Sequence, residues 1–250
     1  MTAAPEGWVI YAVGDIHGRL DLLEQLLGHI DRDAEASGAG HGVVFLGDYV
    51  DRGPHSKGVI ERLTRLKAER PGRVVTLKGN HEDMLLSFLR DPSGGSTWVT
   101  HGGRECLASY GIQAPKLRHD QAGWESTRQA LVQAMPTHHV EFLNSLDLYF
   151  DGGDYLFVHA GVRPGVAVEE QVEKDLLWIR RPFLEVEQPI EKVVIHGHSA
   201  NTAPKIAAGR IGIDTGAYAT GVLTALRLQG PEREFLRTGV GSPQVLRAAG

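Results

Sequence analysis

Three short motifs bounded by glycine restrict most strongly what this chain can fold into, because each follows an apolar run typical of a buried strand. They are Gly14-Asp15-Ile16-His17-Gly18, Gly47-Asp48-Tyr49-Val50-Asp51-Arg52-Gly53 and Gly79-Asn80-His81-Glu82. Glycine lets the backbone turn sharply after a strand, and Asp, His and Asn side chains carry oxygen and nitrogen ligands for metal ions. The motifs therefore predict metal-binding loops at the ends of three strands.

A repeated strand–loop–helix pattern surrounds these motifs. Apolar runs at residues 8–13, 43–46 and 74–77 predict strands, and each is followed by a predicted helix. The helices are indicated by apolar spacing at Leu23, Leu26, Leu27 and Ile30, at Val59, Ile60, Leu63 and Leu66, and over residues 82–89. Successive βα units favour a parallel sheet covered by helices, with ligands collected at the carboxyl ends of the strands. We expect the three motifs to meet at that edge.

The pattern changes twice after residue 90. Pro92-Ser93-Gly94-Gly95 predicts a break, and helical spacing at residues 104–110, 124–135 and 137–145 predicts a mainly helical insertion over about residues 91–147, near the active site. Strand patterns then predict a second sheet packed face to face on the first. These patterns lie at residues 148–150, 155–158, 193–195, 205–207, 210–213, 222–228 and 234–237. The predicted fold is one α/β domain over residues 1–250, with a frayed tail at about 242–250.

Composition restricts the class of protein. The chain has 250 residues, with 26 Lys and Arg against 31 Asp and Glu, which argues against a nucleic-acid partner. A single cysteine, Cys106, allows neither an intrachain disulfide nor a cysteine-based zinc cluster. No run approaches the roughly 20 apolar residues that cross a bilayer, and the N-terminus lacks the pattern of a signal peptide. We expect a soluble cytoplasmic protein without a membrane partner.

The motif residues predict two metal ions. Asp15 and His17 are two residues apart at a strand end, so both side chains point to the same side and can reach one ion. Asp48 has two carboxylate oxygens and can bridge to a second ion. Two ions roughly 3.5–4 Å apart can activate a shared water for in-line attack on a phosphate ester. The predicted ligand set is Asp15, His17, Asp48, Asn80, His159 and His198.

Catalytic and phosphate-binding groups are predicted beside these ligands. His81 is the candidate acid for the leaving oxygen, and Asp51 would orient it and keep it protonated. Arg52 and Arg180 are candidates for the non-bridging phosphate oxygens, because guanidinium binds phosphate through two hydrogen bonds. Arg181 is an equal alternative to Arg180, and Asn80 is a further candidate for contact with phosphate. The histidines outside the motifs, including His138 and His139, are expected to be solvated or capping groups. His196, two residues before His198, could bind metal or support a ligand, and the second role is favoured.

Over about residues 9–228, these motifs resemble the phosphoprotein phosphatase family within the calcineurin-like metallophosphoesterases, and the Gly47 to Gly53 motif is the most specific match. The resemblance implies two mixed β-sheets packed together and flanked by helices, an α/β/β/α sandwich, with Mn²⁺ or Fe and Zn as metals. The chain is more similar to compact bacterial and phage members, because Ala160 and His196-Gly197 depart from the eukaryotic pattern. The resemblance assigns the same ligands, the His81 and Asp51 pair, and arginines at Arg52 and Arg180.

Three functions are weighed. The first is a serine/threonine protein phosphatase acting on a phosphorylated protein or peptide. The second is a hydrolase of dinucleoside polyphosphates, whose similar enzymes usually lack an acid at the position of Asp51, so this residue favours the first function. The third is an inactive phosphate-binding module, which the complete set of predicted ligands disfavours.

Overall fold

The structure is a computed structural model that describes residues 3–4, 7–116, 119–186, 191–239 and 246–247. Its strands are β1 Trp8–Val13, β2 Gly40–Phe45, β3 Val74–Thr76, β4 Tyr149–Gly152, β5 Tyr155–Val158, β6 Val193–His196, β7 Lys205–Ala207, β8 Arg210–Gly212, β9 Thr224–Gln229, β10 Glu232–Arg237 and β11 Leu246–Arg247. Its α-helices are α1 Leu20–Ser37, α2 Ser56–Glu69, α3 Asn80–Arg90, α4 Gly95–Trp98, α5 Arg104–Ser109, α6 Gln121–Ala134, α7 Thr137–Asn144, α8 Glu173–Trp178 and α9 Ala217–Thr220. Among these described helices, none combines the length and the apolar character needed to span a bilayer.

The strands form two mixed sheets. The first has the order β11-β10-β9-β1-β2-β3, in which β1, β2 and β3 are parallel and β9 runs antiparallel to β1. The second has the order β4-β5-β6-β8-β7, in which β5, β6 and β8 are parallel. The register pairs Val13 with Phe45 in one sheet and Val158 with His196 in the other. In each sheet, the three parallel strands therefore have their carboxyl ends next to one another at one edge.

Alternating side chains join the layers. In β1, Val9, Tyr11 and Val13 pack against the helices, whereas Ile10 and Ala12 belong to the core between the two sheets. Burying one such large apolar side chain contributes about 1.5–3 kcal/mol. The outer face of the second sheet carries a third core, which joins β5 to α8 and the segment after it and includes Leu156, Val158, Leu176, Ile179 and Phe183. The predicted α/β/β/α arrangement of two mixed sheets between helices is confirmed.

The prediction that the last two strands belong to the second sheet is wrong. The strands expected at residues 222–228 and 234–237 are β9 and β10, and both join the first sheet. β2 and β3 extend the sheet on one side of β1 only, so its other edge requires a partner for its backbone groups. Antiparallel pairing with β9, in the register Ala12 with Leu226, supplies that partner.

The region of residues 91–147 is helical, as predicted, but its first part differs from the expectation. The chain breaks at Asp91, whose backbone is extended after the end of α3, but residues 92–103 then form a short 3₁₀ turn, α4 and a wide helical turn at Val99–Gly103, which lead into α5. In the tail predicted to be frayed, Leu246–Arg247 form β11 and pair with β10. Residues 242–245 and 248–250 of that tail lie outside the described residues.

Candidate metal centre and active site

Six strand ends bring the candidate site together. Short loops follow the parallel strands of both sheets, and each loop, or the first turn of the helix after it, carries at least one buried polar side chain. By strand, these are Asp15 and His17 after β1, Asp48 and Asp51 after β2, Asn80 and His81 after β3, His159 after β5, His198 after β6 and Asp214 after β8. All six predicted metal ligands therefore lie in one buried region.

Asp48 lies at the centre of this region. Its Oδ2 is 3.5 Å from His17 Nε2 and 3.9 Å from His81 Nε2, and its Oδ1 is 3.3 Å from His159 Nε2. Two groups of three donors result, His17 with Asp48 and His81, and Asp48 with His159 and His198. One carboxylate is thus shared between two donor groups, which is the arrangement of a bridging ligand.

Backbone carbonyls fix the orientation of two of these imidazoles. His17 Nδ1 lies 2.8 Å from the Val50 carbonyl oxygen, and His159 Nδ1 lies 2.9 Å from the Leu46 carbonyl oxygen. Because a carbonyl oxygen only accepts, each Nδ1 carries the hydrogen and each neutral ring presents the lone pair of Nε2. For both rings, that lone pair faces Asp48.

Several acceptor atoms at this site lie close together, with no hydrogen-bond donor between them in the described part of the chain. His159 Nε2 is 2.9 Å from Asn80 Oδ1, and both atoms are acceptors; His198 Nδ1 is 2.8 Å from the same oxygen. His198 Nε2 is buried without a hydrogen-bond partner among the described residues. Burial lowers the pKa of His159 to about 3 and that of His198 to about 2, so both rings are neutral. Acceptor atoms that converge in this way fit a metal cation.

Buried negative charge also fits metal binding. Burial, Asp214 and Asp48 raise the pKa of Asp15 well above its usual value. The Asp15 carboxylate accepts the backbone N–H of His198 at 3.0 Å and lies outside both three-donor groups. It therefore contacts the loop of His198 rather than sharing a donor group with His17. Two divalent cations would offset the repulsion among these carboxylates.

The predicted catalytic pair is in contact. His81 Nδ1 and Asp51 Oδ2 are 2.6 Å apart, and the indole N–H of Trp98 donates to the same carboxylate oxygen at 2.9 Å. Arg52 Nη2 lies 3.2 Å from His81 Nε2. An arginine only donates, so Nε2 accepts and Nδ1–H donates to Asp51. This neutral ring differs from the expected imidazolium, because burial lowers the pKa of His81 to about 4.

The helical region 91–147 holds Arg52 as well as Asp51. The Arg52 N–H donates to the carbonyl of Gly102 at 3.0 Å, and the guanidinium lies 4.6 Å from the ring centre of Tyr218. Gly102 has φ of 110°, and a Cβ there would lie 2.6 Å from Arg52 Cγ. Glycine is therefore required at this close approach, and the insertion forms part of the site.

Glu82 supports the loop that carries Asp48, a role that was not predicted from the motif. Its Oε2 accepts the backbone N–H groups of Asp48 and Gly79 at 2.8 and 2.9 Å. Its Oε1 accepts those of Tyr49 and Val50 at 2.8 and 3.2 Å. Burial and the nearby Asp48 raise the pKa of Glu82 to about 8, while these N–H donors oppose the rise. The buried carboxyl group thus ties the second and third motifs together.

Backbone strain is concentrated in the same loops. Among the described residues, five that are not glycine have positive φ values: His17, Asp48, Asp51, Arg52 and His198. Such conformations cost about 1–3 kcal/mol each and persist where the surrounding structure enforces them. All five belong to the predicted site.

Of the two alternative arginines, Arg180 is the one whose charge acts on the candidate metal ligands, although the residue itself is exposed. Burial is the largest cause of the pKa shifts of Asp48, His159 and His198, and the positive charge of Arg180 acts to lower each pKa. Arg181 instead pairs with Glu185 at 2.9 Å, and its side chain is 83% exposed. Trp178, which precedes both arginines, lies edge-on to His198 with ring centres 6.2 Å apart.

Four residues of the site were not predicted from sequence: Glu82, Trp98, Asp214 and Tyr218. Asp214 has the same signal as Asp15 and Asp48, an apolar strand followed by Asp and a nearby Gly, so the pattern could have identified it. Glu82 lies within a quoted motif. Trp98 and Tyr218 carry no local signal, because only the tertiary fold brings them to Asp51 and Arg52.

Comparisons with known proteins agree with this geometry. The asymmetrical bis(5'-nucleosyl)-tetraphosphatase PrpE of Anoxybacillus flavithermus is 28% identical over 254 residues, covering 93% of this chain and 95% of the relative. A catalytic subunit of protein phosphatase 2A from Dictyostelium discoideum is 36% identical over 104 residues, 41% of this chain and 28% of the relative.

Solved structures share the fold. One, assigned provisionally as a diadenosine tetraphosphatase, has a TM-score of 0.67 and 21% identity, covering 97% of this chain and 98% of the other. A serine/threonine phosphatase from Saccharomyces cerevisiae, similar to human PP5, has a TM-score of 0.56 and 15% identity, covering 97% and 84%. Residues 9–225 match the sequence profile of the calcineurin-like phosphoesterases. The chain therefore belongs to the calcineurin-like phosphoesterase family and is a metallophosphoesterase with candidate ligands for two metal ions.

Proposed function

We propose that this protein hydrolyses bis(5'-nucleosyl) tetraphosphates. The observation that carries the proposal is the match to PrpE enzymes of that name over nearly the full length of both chains, 93% and 95% for Anoxybacillus flavithermus and 93% and 94% for Halalkalibacterium halodurans. From sequence, Asp51 favoured a protein phosphatase over a dinucleoside polyphosphate hydrolase. We now rank the second function first, because similarity over nearly the whole chain outweighs one acidic residue.

Aromatic side chains beside the candidate metal centre support this substrate class. Tyr218 is 40% exposed and lies edge-on to His17, and Trp178 is 37% exposed and lies edge-on to His198. These histidines belong to different donor groups around Asp48. Exposed aromatic rings beside both groups are suited to stacking on the two bases of a dinucleotide, a contact that contributes about 1–3 kcal/mol per base.

The proposed reaction breaks one P–O–P bond with water. When bound, a pair of divalent cations, proposed to be Mn²⁺, supplies an activated water and neutralises phosphate charge. Arg52 and Arg180 bind non-bridging oxygens, and the amide of Asn80 contacts the phosphate. The hydroxyl of the water adds to phosphorus, the bridging oxygen leaves with the rest of the phosphate chain, and the second proton of the water is released to solvent. An unequal cut of the tetraphosphate gives a nucleoside monophosphate and a nucleoside triphosphate.

A second candidate is a phosphoprotein phosphatase. The specific observation in its favour is the pair of His81 and Asp51, held 2.6 Å apart. A serine or threonine alkoxide is a poor leaving group and needs a proton donor, whereas a phosphate leaving group needs one much less. The partial match to the protein phosphatase 2A catalytic subunit, limited to 41% of this chain, points the same way.

A side-by-side rate comparison tests the proposal. The protein is treated with a chelator, reloaded with Mn²⁺ and assayed on bis(5'-adenosyl) tetraphosphate, on phosphoserine and phosphothreonine peptides, and on an aryl phosphate. We expect the highest kcat/KM for the dinucleotide, with mono- and triphosphate products separated by chromatography. A higher kcat/KM for the phosphopeptides would overturn the proposal in favour of the second candidate, and no Mn²⁺-dependent turnover of any substrate would reject both.

A further inference from the structure

A third group of metal-type donors lies away from the site around Asp48. Glu61 of α2 and His138 and His139 of α7 place their ligand atoms within 4.8 Å of one another. His138 Nε2 and His139 Nε2 lie 2.8 and 2.9 Å from the same oxygen, Glu61 Oε2. These histidines were expected to be solvated or to cap helices, but both converge on one carboxylate at the contact between two helices.

Burial differs among the three groups in a way that suits a metal site. The His139 side chain is fully buried, whereas the side chains of Glu61 and His138 are 44% and 48% exposed. One ligand is therefore fixed by packing, while the exposed side of the group leaves room for an ion to enter and for water to complete its coordination. Two imidazoles and one carboxylate with an open position are a donor set that Zn²⁺ uses in proteins.

Tyr110 supplies the supporting contact that a histidine ligand needs. Its hydroxyl is 2.9 Å from His139 Nδ1, on the opposite side of the ring from Glu61. A hydroxyl can donate or accept, so it can serve either tautomer of this imidazole. When His139 Nδ1–H donates to the Tyr110 oxygen, Nε2 is free to bind a cation. Such contacts orient histidine ligands and are usual around metal sites.

We propose that Glu61, His138 and His139 form a Zn²⁺-binding site that fastens α7 to α2. In the absence of metal, the two Nε2–H groups share Glu61 Oε2 as hydrogen-bond acceptor. On binding, each imidazole takes the tautomer that carries its hydrogen on Nδ1 and presents the Nε2 lone pair, and His139 Nδ1–H donates to the Tyr110 oxygen, whose own hydrogen turns away from the ring. The ion joins the end of the helical region 91–147 to the helix that follows the Asp48 loop. This inference does not depend on the substrate of the phosphoesterase.

Metal content measured on matched variants tests the proposal. The full chain and its variants are loaded with Zn²⁺, dialysed and analysed for bound zinc per chain. His138→Ala is the main variant, because its exposed side chain can be removed without opening the core. His119→Ala is the control, since His119 is an exposed histidine outside the cluster. We expect His138→Ala to bind one Zn²⁺ fewer than both the original chain and the control, and to keep its phosphoesterase activity.

A second measurement locates the ion. Crystals soaked in Zn²⁺ should show an anomalous difference peak between α2 and α7, within coordination distance of His139 Nε2, in the original chain and not in His138→Ala. Zn²⁺ should also raise the unfolding temperature of the original chain more than that of the variant. Equal zinc content in the original chain and His138→Ala, or no peak between these helices, would overturn the proposal and leave the cluster as an ion pair between helices.

Discussion

The strand-end loops and the helical region 91–147 contribute to the candidate active site in different ways. The loops supply the candidate ligand atoms, and their positions follow from short motifs after apolar strands. Within its described residues, the helical region supplies no donor to the two groups around Asp48, yet Trp98 contacts Asp51 and Gly102 contacts Arg52. Metal-binding capacity is thus encoded locally, whereas the orientation of the catalytic groups depends on a distant segment without a motif.

Asp48→Asn should have the largest effect, because it alters the group shared by both donor sets. The amide keeps the size of the carboxylate but loses its charge and one of its two acceptor oxygens, so we expect metal-dependent turnover to be abolished and fewer than two ions to bind. Asp31→Asn is the matched control, since Asp31 is exposed and paired with Arg70. Full activity in Asp48→Asn would show that the strand-end loops do not share this ligand.

His81→Ala should produce the next largest loss. His81 can donate a proton only after Nε2 has been protonated, and if it does so, turnover of an alkyl phosphate should fall by about 10²–10⁴-fold in the variant, the usual contribution of general acid catalysis. An aryl phosphate, whose leaving group needs little protonation, should lose much less. Steady-state rates on both substrates measure the difference. Equal losses on the two would mean that His81 is not the acid.

Glu82→Gln should weaken metal binding by about 10–100-fold, the range seen when supporting contacts of a metal site are removed. Glutamine has one acceptor oxygen, so some of the four backbone N–H groups now bound by Glu82 would lose their partner. Metal titration of the chelated protein measures the shift. The control is Asp83→Asn on the same helix, where Asp83 pairs with Lys78 away from the Asp48 loop. An unchanged metal affinity in Glu82→Gln would remove the proposed link between the two motifs.

Trp98→Phe should have the smallest effect and tests the contribution of the helical region. Phenylalanine keeps most of the buried ring but lacks the N–H that donates to Asp51 at 2.9 Å. We expect kcat to fall by up to about tenfold with unchanged metal content, because a typical intramolecular hydrogen bond contributes roughly 0.5–1.5 kcal/mol. A loss of metal instead would mean that this region supports the ligands as well as the catalytic pair.

The sequence predicted the parts of the molecule that depend on local pattern. Apolar alternation and helical spacing located the strands and helices of the first three βα units, and the three motifs with His159 and His198 identified the candidate ligands that meet around Asp48. Sheet membership of β9 was missed, because pairing with β1 depends on which sheet edge is open and not on the strand's own residues. Trp98 and Tyr218 were missed for a similar reason, since their contacts join residues far apart in the chain.

Crystallography of the Mn²⁺-loaded protein tests most directly the central claim, that Asp48 is shared by two metal ions. We expect two anomalous difference peaks roughly 3.5–4 Å apart, one on each side of the Asp48 carboxylate. One peak should lie near His17 and the other near His159 and His198. A single peak, or peaks that do not contact Asp48, would contradict the claim.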